Sequence, residues 1–230
     1  MVNFERIFEE WNAYAQKKVL LSREVNWEKL EKKSALKIMA ITGIRRSGKS
    51  STLIILLQKL LLKKEKAVYV NLEDSRINKN SLLFDEIIKW FGDDGYLLLD
   101  EITSGNDWEG WLARNHELLK GKLKLIVSSS RRGLITPSKP LRGRILPLEF
   151  YPLSFSEFLQ FKNVPVDKTT AGTGRLEKAL EEYLTYGGFP EVVISTDKID
   201  KIEEALPYYS DEKIKEMSLK GQEFWNNYCS

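Results

Sequence analysis

The residues best suited to chemistry lie in one stretch of the chain, Gly43-Ile44-Arg45-Arg46-Ser47-Gly48-Lys49-Ser50. Its pattern, a glycine followed after four variable residues by Gly-Lys-Ser, is typical of a loop that binds phosphate. Glycines let the backbone wrap closely around a phosphate, so that N–H groups point inward, and the helix that follows adds the positive end of its dipole. We therefore predict that this stretch, together with Ser51, binds the phosphates of a nucleotide.

Two side chains at the end of this loop have distinct predicted roles. Lys49 reaches the β- and γ-phosphates, and the hydroxyl of Ser50 binds Mg²⁺. The roles of Arg45 and Arg46 stay open: each supports phosphates, faces a neighbouring subunit, or is a solvated loop position. The alternative for the whole stretch is a glycine turn with an exposed lysine. However, the stretch follows a predicted strand and opens a predicted helix, as a phosphate loop does.

A pair of carboxylates, Asp100-Glu101, follows the apolar run 96–99. We expect Asp100 to bind Mg²⁺ through water, as the partner of Ser50, and Glu101 to polarise the attacking water as a general base. Acidic residues also end exposed strands by chance, but here a phosphate loop precedes the pair in the chain. P-loop kinases do not need a water-activating Glu at this position, so the pair favours hydrolysis over transfer to a substrate hydroxyl.

Polar residues also follow the apolar run 123–127, in the order Ser128-Ser129-Ser130. This strand is expected beside the strand of Asp100. There, Ser128 or Ser129 would hydrogen-bond the γ-phosphate or the attacking water. The alternative is a solvated loop of ordinary turn residues.

Two arginines precede the last predicted strand, in the order Arg142-Gly143-Arg144. Phosphoryl transfer develops charge on the γ-phosphoryl oxygens, and an arginine from a neighbouring subunit can stabilise that charge. Arg144 is the first candidate for this role and Arg142 is the second, and the role requires a homo-oligomer. The alternative is that both arginines bind an internal carboxylate or solvent.

Short apolar runs alternate with helical patterns, and together they position these residues. The predicted strands cover residues 36–42, 67–72, 96–99, 123–127 and 145–150, and the predicted helices of this region cover 49–63, 81–91 and 108–119. Alternation of this kind indicates an α/β fold, with a parallel sheet that is covered by helices on both faces. Ligands of such sheets bind at the carboxyl ends of the strands, which is where the carboxylates and serines gather.

The chain is expected to have three parts. They are an N-terminal helical segment (1–35), a P-loop ATPase core (36–150) and a small helical lid with a tail (151–230). In the lid, helices are predicted over 155–161 and 175–186, joined by a soft stretch over 167–174. Weak apolar periodicity over 213–230 predicts a poorly ordered tail.

Composition narrows the class of protein. The net charge is +3, from 36 basic and 33 acidic residues, which is too balanced to indicate nucleic-acid binding by itself. The single cysteine, Cys229, cannot form an internal disulfide, and no apolar run approaches the length of a membrane span. The first residues carry charges where a signal peptide has an apolar core. These features predict a cytoplasmic protein with no membrane partner.

A series of segments resembles the AAA-type ATPases of archaea and bacteria that carry an ATPase core followed by winged-helix and nuclease-like domains. The matching segments are Ile41-Thr42-Gly43-Ile44-Arg45-Arg46-Ser47-Gly48-Lys49-Ser50, Val70-Asn71-Leu72-Glu73-Asp74, Leu97-Leu98-Leu99-Asp100-Glu101-Ile102 with Trp108-Glu109, Ser128-Ser129-Ser130, Leu141-Arg142-Gly143-Arg144, Tyr151-Pro152-Leu153-Ser154-Phe155-Ser156-Glu157-Phe158-Leu159 and Tyr186-Gly187-Gly188-Phe189-Pro190-Glu191. The phosphate loop is generic, whereas the order of all these segments is specific. The resemblance covers residues 23–193.

The resemblance implies ATP and Mg²⁺ as ligands and an AAA-like sheet of order 5-1-4-3-2. In that order the strand of Ser128 separates the strand of Asp100 from the strand that leads to the phosphate loop. It implies ATP rather than GTP, since no Asn-Lys-x-Asp pattern of guanine specificity occurs. The family usually continues with further domains, and the match weakens after Val193. The helical lid over residues 151–230 is therefore expected to be truncated relative to the family, although a shifted or naturally minimal protein would show the same pattern. The lid arginine that many AAA proteins use as a second sensor has no clear match.

We thus predict an AAA-type ATPase that binds ATP and hydrolyses Mg-ATP as an oligomer. A nucleotide-dependent switch, or a DNA- or protein-binding module with little turnover, is the alternative, and a P-loop kinase is the third interpretation. DNA as a partner is a hypothesis that depends on the resemblance and on local basic residues. These residues are Arg131, Arg132, Lys139, Arg142 and Arg144. A subunit interface or a solvated face would explain them equally well.

Overall fold

The structure is a computed structural model, and it describes residues 2–130 and 138–205. The strands are β1 (Ile38–Gly43), β2 (Ala67–Asn71), β3 (Gly95–Asp100), β4 (Leu123–Ser129) and β5 (Ile145–Phe150). The helices are α1 (Phe4–Lys17), α2 (Trp27–Ser34), α3 (Lys49–Leu62), α4 (Leu83–Phe91), α5 (Trp108–Leu118), α6 (Phe155–Phe161), α7 (Thr170–Tyr186), α8 (Pro190–Ile194) and α9 (Lys198–Ala205). Short 3₁₀ helices cover Ile102–Ser104 and Lys139–Leu141. Within the described ranges, no helix has both the length and the apolar character that a membrane span needs.

The strands form one parallel sheet of order β2-β3-β4-β1-β5. This is the order expected from the sequence, read from the opposite edge, so the AAA-like P-loop sheet is confirmed. Strand β4 lies between β1 and β3, because Ile41 pairs with Ser128 on one side and Leu99 pairs with Val127 on the other. The phosphate loop, Asp100 and the serines at the end of β4 therefore lie at the same carboxyl edge of the sheet.

Alternation along the strands builds an apolar core on each face of the sheet. Ile38 and Ala40 of β1 belong to the core that includes α1, α4 and α5, whereas Met39 and Ile41 belong to the core that includes α3. Both faces are therefore covered by helices, as predicted. The apolar stripe of α3 is fully or almost fully buried at Leu53, Ile54, Leu56, Leu57 and Leu60. Each such side chain contributes about 1.5–3 kcal/mol to folding, which fixes α3, and the loop before it, against the sheet.

Helix α1 covers the edge strand β2, which would otherwise present unpaired backbone groups. The side chain of Asn12 accepts a hydrogen bond from the backbone N–H of Tyr69 at 3.2 Å. The indole of Trp11 donates to Asp74, in the turn after β2, at 2.9 Å. A hydrogen bond from Arg76 holds the pKa of Asp74 low, at about 2. These contacts make α1 part of the sheet's packing.

The chain divides into two compact units between Leu153 and Ser154. The first contains α1, α2 and the whole sheet, and the second contains α6 to α9. Helix α6 begins with reciprocal capping, because the Ser154 hydroxyl accepts from the N–H of Glu157 at 3.2 Å and the Glu157 carboxylate accepts from the N–H of Ser154 at 3.0 Å. The predicted tail over 213–230 lies outside the described residues.

Helix α7 begins earlier than the sequence predicts, and this corrects the soft stretch expected over 167–174. The helix starts at Thr170, and Thr169 is its N-cap. The hydroxyl of Thr169 accepts a hydrogen bond from the N–H of Gly172 at 3.0 Å. An N-cap of this kind is worth about 1 kcal/mol, which offsets roughly one of the two glycines, Gly172 and Gly174, in the first turns.

Candidate active site

The phosphate loop connects β1 to α3, and its two glycines have conformations that other residues rarely adopt. Gly43 has a φ of 136° and Gly48 a φ of 91°. Gly43 also has no room for a side chain, because a Cβ there would lie 2.1 Å from the carbonyl oxygen of Phe150 in β5. Gly43 therefore lets β5 approach the start of the loop, and Gly48 lets the chain turn directly into α3.

Gly43→Ala is expected to destabilise the fold by about 3 kcal/mol, because β5 must move away while the backbone keeps a positive φ. Gly121→Ala is the matched control, since Gly121 also has a positive φ, of 82°, but nothing lies within 4 Å of its Cβ. We expect the control to cost about 1 kcal/mol. Equilibrium unfolding in urea measures both free energies. Equal losses for the two variants would contradict the packing constraint at Gly43.

Side chains of the phosphate loop fold back onto its backbone. Lys49 is only 4% exposed, and its Nζ donates a hydrogen bond to the carbonyl of Ile44 at 2.8 Å. The hydroxyl of Ser47, which is fully buried, donates to the same carbonyl at 2.9 Å. The contact with Ile44 therefore holds the ammonium group of Lys49 against the loop.

The two loop arginines differ in their surroundings. Arg45 is exposed, and its guanidinium lies 3.3 Å from the carboxylate of Glu73, which follows β2. An ion pair this exposed contributes at most about 1 kcal/mol. Arg46 has a left-handed φ of 63°, which costs a residue with a Cβ about 1–2 kcal/mol. Whether either arginine binds phosphate stays a prediction.

Arg23, between α1 and α2, ties the phosphate loop to the end of β5, and the sequence gives no signal for it. Its guanidinium donates to the carbonyl of Ser47 at 3.0 Å. It also donates to the carbonyls of Tyr151 and Pro152, at 2.6 and 3.4 Å, and lies over the ring of Phe150 at 5.1 Å. Carbonyl oxygens from two segments therefore converge on one side chain.

Asp100, at the end of β3, is 2% exposed and accepts hydrogen bonds from several hydroxyls. Tyr69 donates to its Oδ2 at 2.7 Å, Ser128 donates to its Oδ1, and the hydroxyl of Ser50 donates to it as well. Burial raises the pKa of Asp100, while these hydrogen bonds favour the carboxylate and oppose the rise. The two residues expected from the sequence to hold Mg²⁺ are thus in contact with each other.

The donor set formed by Ser50 and Asp100 fits Mg²⁺. The ion prefers oxygen ligands and is usually held by one or two carboxylates together with substrate phosphates. The P-loop serine and an aspartate elsewhere in the chain are the protein ligands that P-loop NTPases supply. The structure brings these two side chains together from α3 and β3.

Glu101 follows Asp100 and is held by residues at the carboxyl end of β4. It has a left-handed φ of 51°, and its N–H donates to the Ser128 hydroxyl at 3.0 Å. One oxygen of its carboxylate accepts from the Ser130 hydroxyl at 2.6 Å, and the other accepts from the Ser130 N–H at 3.1 Å. Glu101 is half-buried whereas Asp100 is buried, so the two adjacent carboxylates have different access to water.

The three serines at the carboxyl end of β4 make different contacts. Ser128 joins the two acidic residues, through its bonds to the Asp100 carboxylate and the Glu101 N–H. Ser129 is buried and shares a hydrogen bond with Thr103 at 2.8 Å. Ser130, which the sequence does not single out, contacts the Glu101 carboxylate. The sensor roles of Ser128 and Ser129 stay predictions.

Arg144 lies at the amino ends of the strands, whereas the phosphate loop follows the carboxyl end of β1. Its carbonyl accepts from the N–H of Ile38, at the start of β1, at 2.9 Å, and β1 runs from there to Gly43. The length of that strand separates the two positions by about 17 Å. The Arg144 guanidinium contacts the carboxylate of Glu117 in α5 at 3.3 Å. In this conformation Arg144 therefore binds an internal carboxylate, which the sequence left open as the alternative.

The other basic residues of the predicted cluster are only partly described. Arg131 and Arg132 lie outside the described residues. Lys139 and Arg142 are exposed, which suits contact with a partner and solvation equally. The structure therefore leaves DNA binding as a hypothesis.

The site thus combines a strand, a glycine loop and a helix that opens with Lys-Ser, and a second strand of the same sheet ends in an acidic residue. These features define a P-loop nucleotide-binding protein. A family model described as an AAA domain matches residues 35–159, which is more than half of the 230 residues. The chain belongs to this AAA domain family.

Two curated relatives match most of the chain. An uncharacterized protein of Methanocaldococcus jannaschii is 31% identical over 216 residues, which cover 90% of this chain and 47% of the relative. An uncharacterized protein of Haemophilus influenzae is 30% identical over 216 residues, which cover 89% of this chain and 48% of the relative. The chain thus spans about half the length of these relatives. A solved structure of a Thermotoga maritima RuvB mutant has a TM-score of 0.49 and 15% identity, and the match covers 98% of this chain and 71% of that one.

Proposed function

We propose that this chain hydrolyses Mg-ATP at the phosphate loop. The observation that carries the proposal is the hydrogen bond between Ser50 and Asp100, with Glu101 next in the chain. Two side chains suited to hold Mg²⁺, beside a second and more accessible carboxylate, supply the parts for hydrolysis. Phosphate binding alone needs no such carboxylate. Release of inorganic phosphate from Mg-ATP tests the proposal.

Each residue has one task in this reaction. The N–H groups of residues 43–51 and the ammonium of Lys49 bind the phosphates and offset their charge. Ser50 and Asp100 hold Mg²⁺, which, when bound, neutralises charge on the β- and γ-phosphates. Glu101 accepts a proton from the water that attacks the γ-phosphorus, and the bond from the γ-phosphorus to the bridging oxygen breaks, giving ADP and inorganic phosphate.

The charge that develops during transfer calls for an arginine from a second copy of the chain, and Arg144 is our candidate. Its position at the far edge of the sheet supports a role towards a neighbouring subunit, because it lies too far from the phosphate loop of its own chain. The contact with Glu117 must then open when subunits assemble. The chain would act as a homo-oligomer, with turnover per chain that rises with protein concentration.

Arg144→Ala is expected to lower turnover on the order of 10³-fold, as loss of an arginine finger does, and to leave nucleotide affinity unchanged. Mixing this variant with Lys49→Ala should restore part of the activity, because each variant supplies the part that the other lacks. Steady-state phosphate release measures both effects, with Arg142→Ala as the comparison. Normal turnover by Arg144→Ala alone would contradict the role in trans and leave Arg144 as the partner of Glu117.

A nucleotide-dependent switch with slow turnover is the second candidate, and the contacts of Glu101 favour it. Ser130 donates hydrogen bonds to both oxygens of the Glu101 carboxylate. Ser130 thus occupies both oxygens that could accept a proton from water, so hydrolysis would wait for a partner that draws Ser130 away from Glu101. Tight ATP binding without phosphate release would support this candidate.

A further inference from the structure

Tyr69 is a buried polar group that the proposed reaction does not use. It lies in β2, is 1% exposed, and belongs to the core on the α3 side of the sheet. Strand β2 pairs with β3 so that Tyr69 lies opposite Leu98 and Asn71 lies opposite Asp100. The ring therefore extends along the sheet towards its carboxyl edge, and its hydroxyl donates to Oδ2 of Asp100 at 2.7 Å.

The hydroxyls of Tyr69 and Ser128 hold Asp100 from the two strands that flank β3. Tyr69 of β2 binds Oδ2, and Ser128 of β4 binds Oδ1. Because each oxygen is bound by a donor from a different side, the carboxylate plane has one preferred orientation. Outer partners of this kind fix the direction of metal-binding carboxylates, and their removal typically weakens metal affinity by about 10–100-fold.

The backbone of Tyr69 is itself held in place. Its N–H donates to the side chain of Asn12 in α1 at 3.2 Å, although β2 is the edge strand of the sheet. Its ring lies in the apolar core with Leu98 and Ile126. A hydroxyl buried in such a core costs free energy unless it is hydrogen-bonded, and a phenylalanine would fill the same space without that cost.

We propose that Tyr69 is a positioning residue, which orients the Asp100 carboxylate for the Mg²⁺ ion that accompanies the nucleotide. The proposal rests on the proposed function, since it assumes that Asp100 binds this ion. The phenolic oxygen of Tyr69 holds the Asp100 carboxylate in this orientation. Loss of this oxygen is therefore expected to weaken the binding of Mg²⁺ and to leave nucleotide binding by the phosphate loop unchanged.

The test uses the full chain, a fluorescent ATP analogue that cannot be hydrolysed, and Mg²⁺. Nucleotide affinity is measured in EDTA and then over a Mg²⁺ titration, for the unmodified chain and for Tyr69→Phe. We expect affinity in EDTA to be the same, and the Mg²⁺ concentration at half-effect to rise about 10-fold in the variant. Tyr96→Phe is the matched control, because Tyr96 lies in the same core, is 8% exposed and contacts Lys124 through its ring.

Equal Mg²⁺ dependence of Tyr69→Phe and the unmodified chain would overturn the role of Tyr69 and leave the proposed function standing. If the unmodified chain binds no nucleotide, or binds it without any effect of Mg²⁺, the proposed function fails, and the role of Tyr69 fails with it. If Tyr69→Phe does not fold, 3-fluorotyrosine placed at position 69 alone decides, because its fluorine resonance reports on that phenol among the nine tyrosines of the chain. In the nucleotide-loaded chain, a shift of this resonance on adding Mg²⁺ supports the proposal, and an unchanged resonance overturns it.

Discussion

Glu101→Gln is expected to lower ATP hydrolysis by about 10²–10⁴-fold while ATP still binds. Glutamine keeps the shape of the side chain, and its amide oxygen can still accept a hydrogen bond from Ser130, but it cannot take a proton from water. General-base catalysis contributes about 10²–10⁴-fold, so turnover should fall by that factor. The phosphate contacts of the loop are untouched, so the nucleotide dissociation constant should stay the same.

Single-turnover cleavage of ATP and equilibrium binding separate these two effects of Glu101→Gln. Glu109→Gln is the control, because Glu109 is a carboxylate in the first turn of α5 that has no role in the proposed reaction. We expect the control to cleave ATP at the normal rate. Cleavage by Glu101→Gln at the rate of the unmodified chain would show that Glu101 is not the base.

Lys49→Ala is expected to lose nucleotide affinity as well as hydrolysis. Charge-assisted hydrogen bonds are worth about 1.5–3 kcal/mol, so the dissociation constant should rise roughly 10–100-fold. The fold should tolerate this change, because the variant removes a charged group that is only 4% exposed and leaves no charge without its partner. Thermal unfolding checks that point on the same samples.

Lys89→Ala is the control for Lys49→Ala, since Lys89 is an exposed residue of α4 that pairs with Glu86. Binding of a fluorescent ATP analogue by both variants measures the effect. If Lys49→Ala binds nucleotide as tightly as the control does, the loop over residues 43–51 is a glycine turn and the nucleotide site lies elsewhere.

The strands and the phosphate loop can be predicted from the sequence because their signals are local. An apolar run that ends at Gly43, or at Asp100, identifies a buried strand and its carboxyl end without knowledge of any other part of the chain. The first and last residues of a strand cannot be predicted in this way, because an apolar residue can lie just outside the strand as well as within it. The apolar run predicts that the strand starts at Leu36, but Leu36 is 63% exposed and β1 begins at Ile38.

The contacts that shape the candidate site cannot be predicted in the same way, because they depend on register between distant segments. Tyr69 resembles any aromatic residue of a buried strand until β2 is aligned with β3 and its hydroxyl reaches Asp100. Ser128 and Ser130 contact different groups of Glu101, its N–H and its carboxylate, because of where β4 ends beside that residue. Neither alignment can be predicted from the residue types along a single segment of the sequence.

Arg23 and Arg144 show the same limit for long side chains. Each is a basic residue in a connecting segment, and sequence alone does not tell which partner a guanidinium finds. In the structure, Arg23 donates hydrogen bonds to carbonyl oxygens such as that of Ser47, and Arg144 contacts the carboxylate of Glu117. Sequence reasoning proposed a partner chain for Arg144, which remains a prediction for the assembled state.

Steady-state release of inorganic phosphate from Mg-ATP by the unmodified chain, over a range of protein concentrations, tests the central claim most directly. We expect release that requires Mg²⁺, stops when EDTA is added, and rises per chain as concentration increases. If no phosphate is released at any concentration while nucleotide still binds, hydrolysis by this chain is contradicted and the protein is a nucleotide switch.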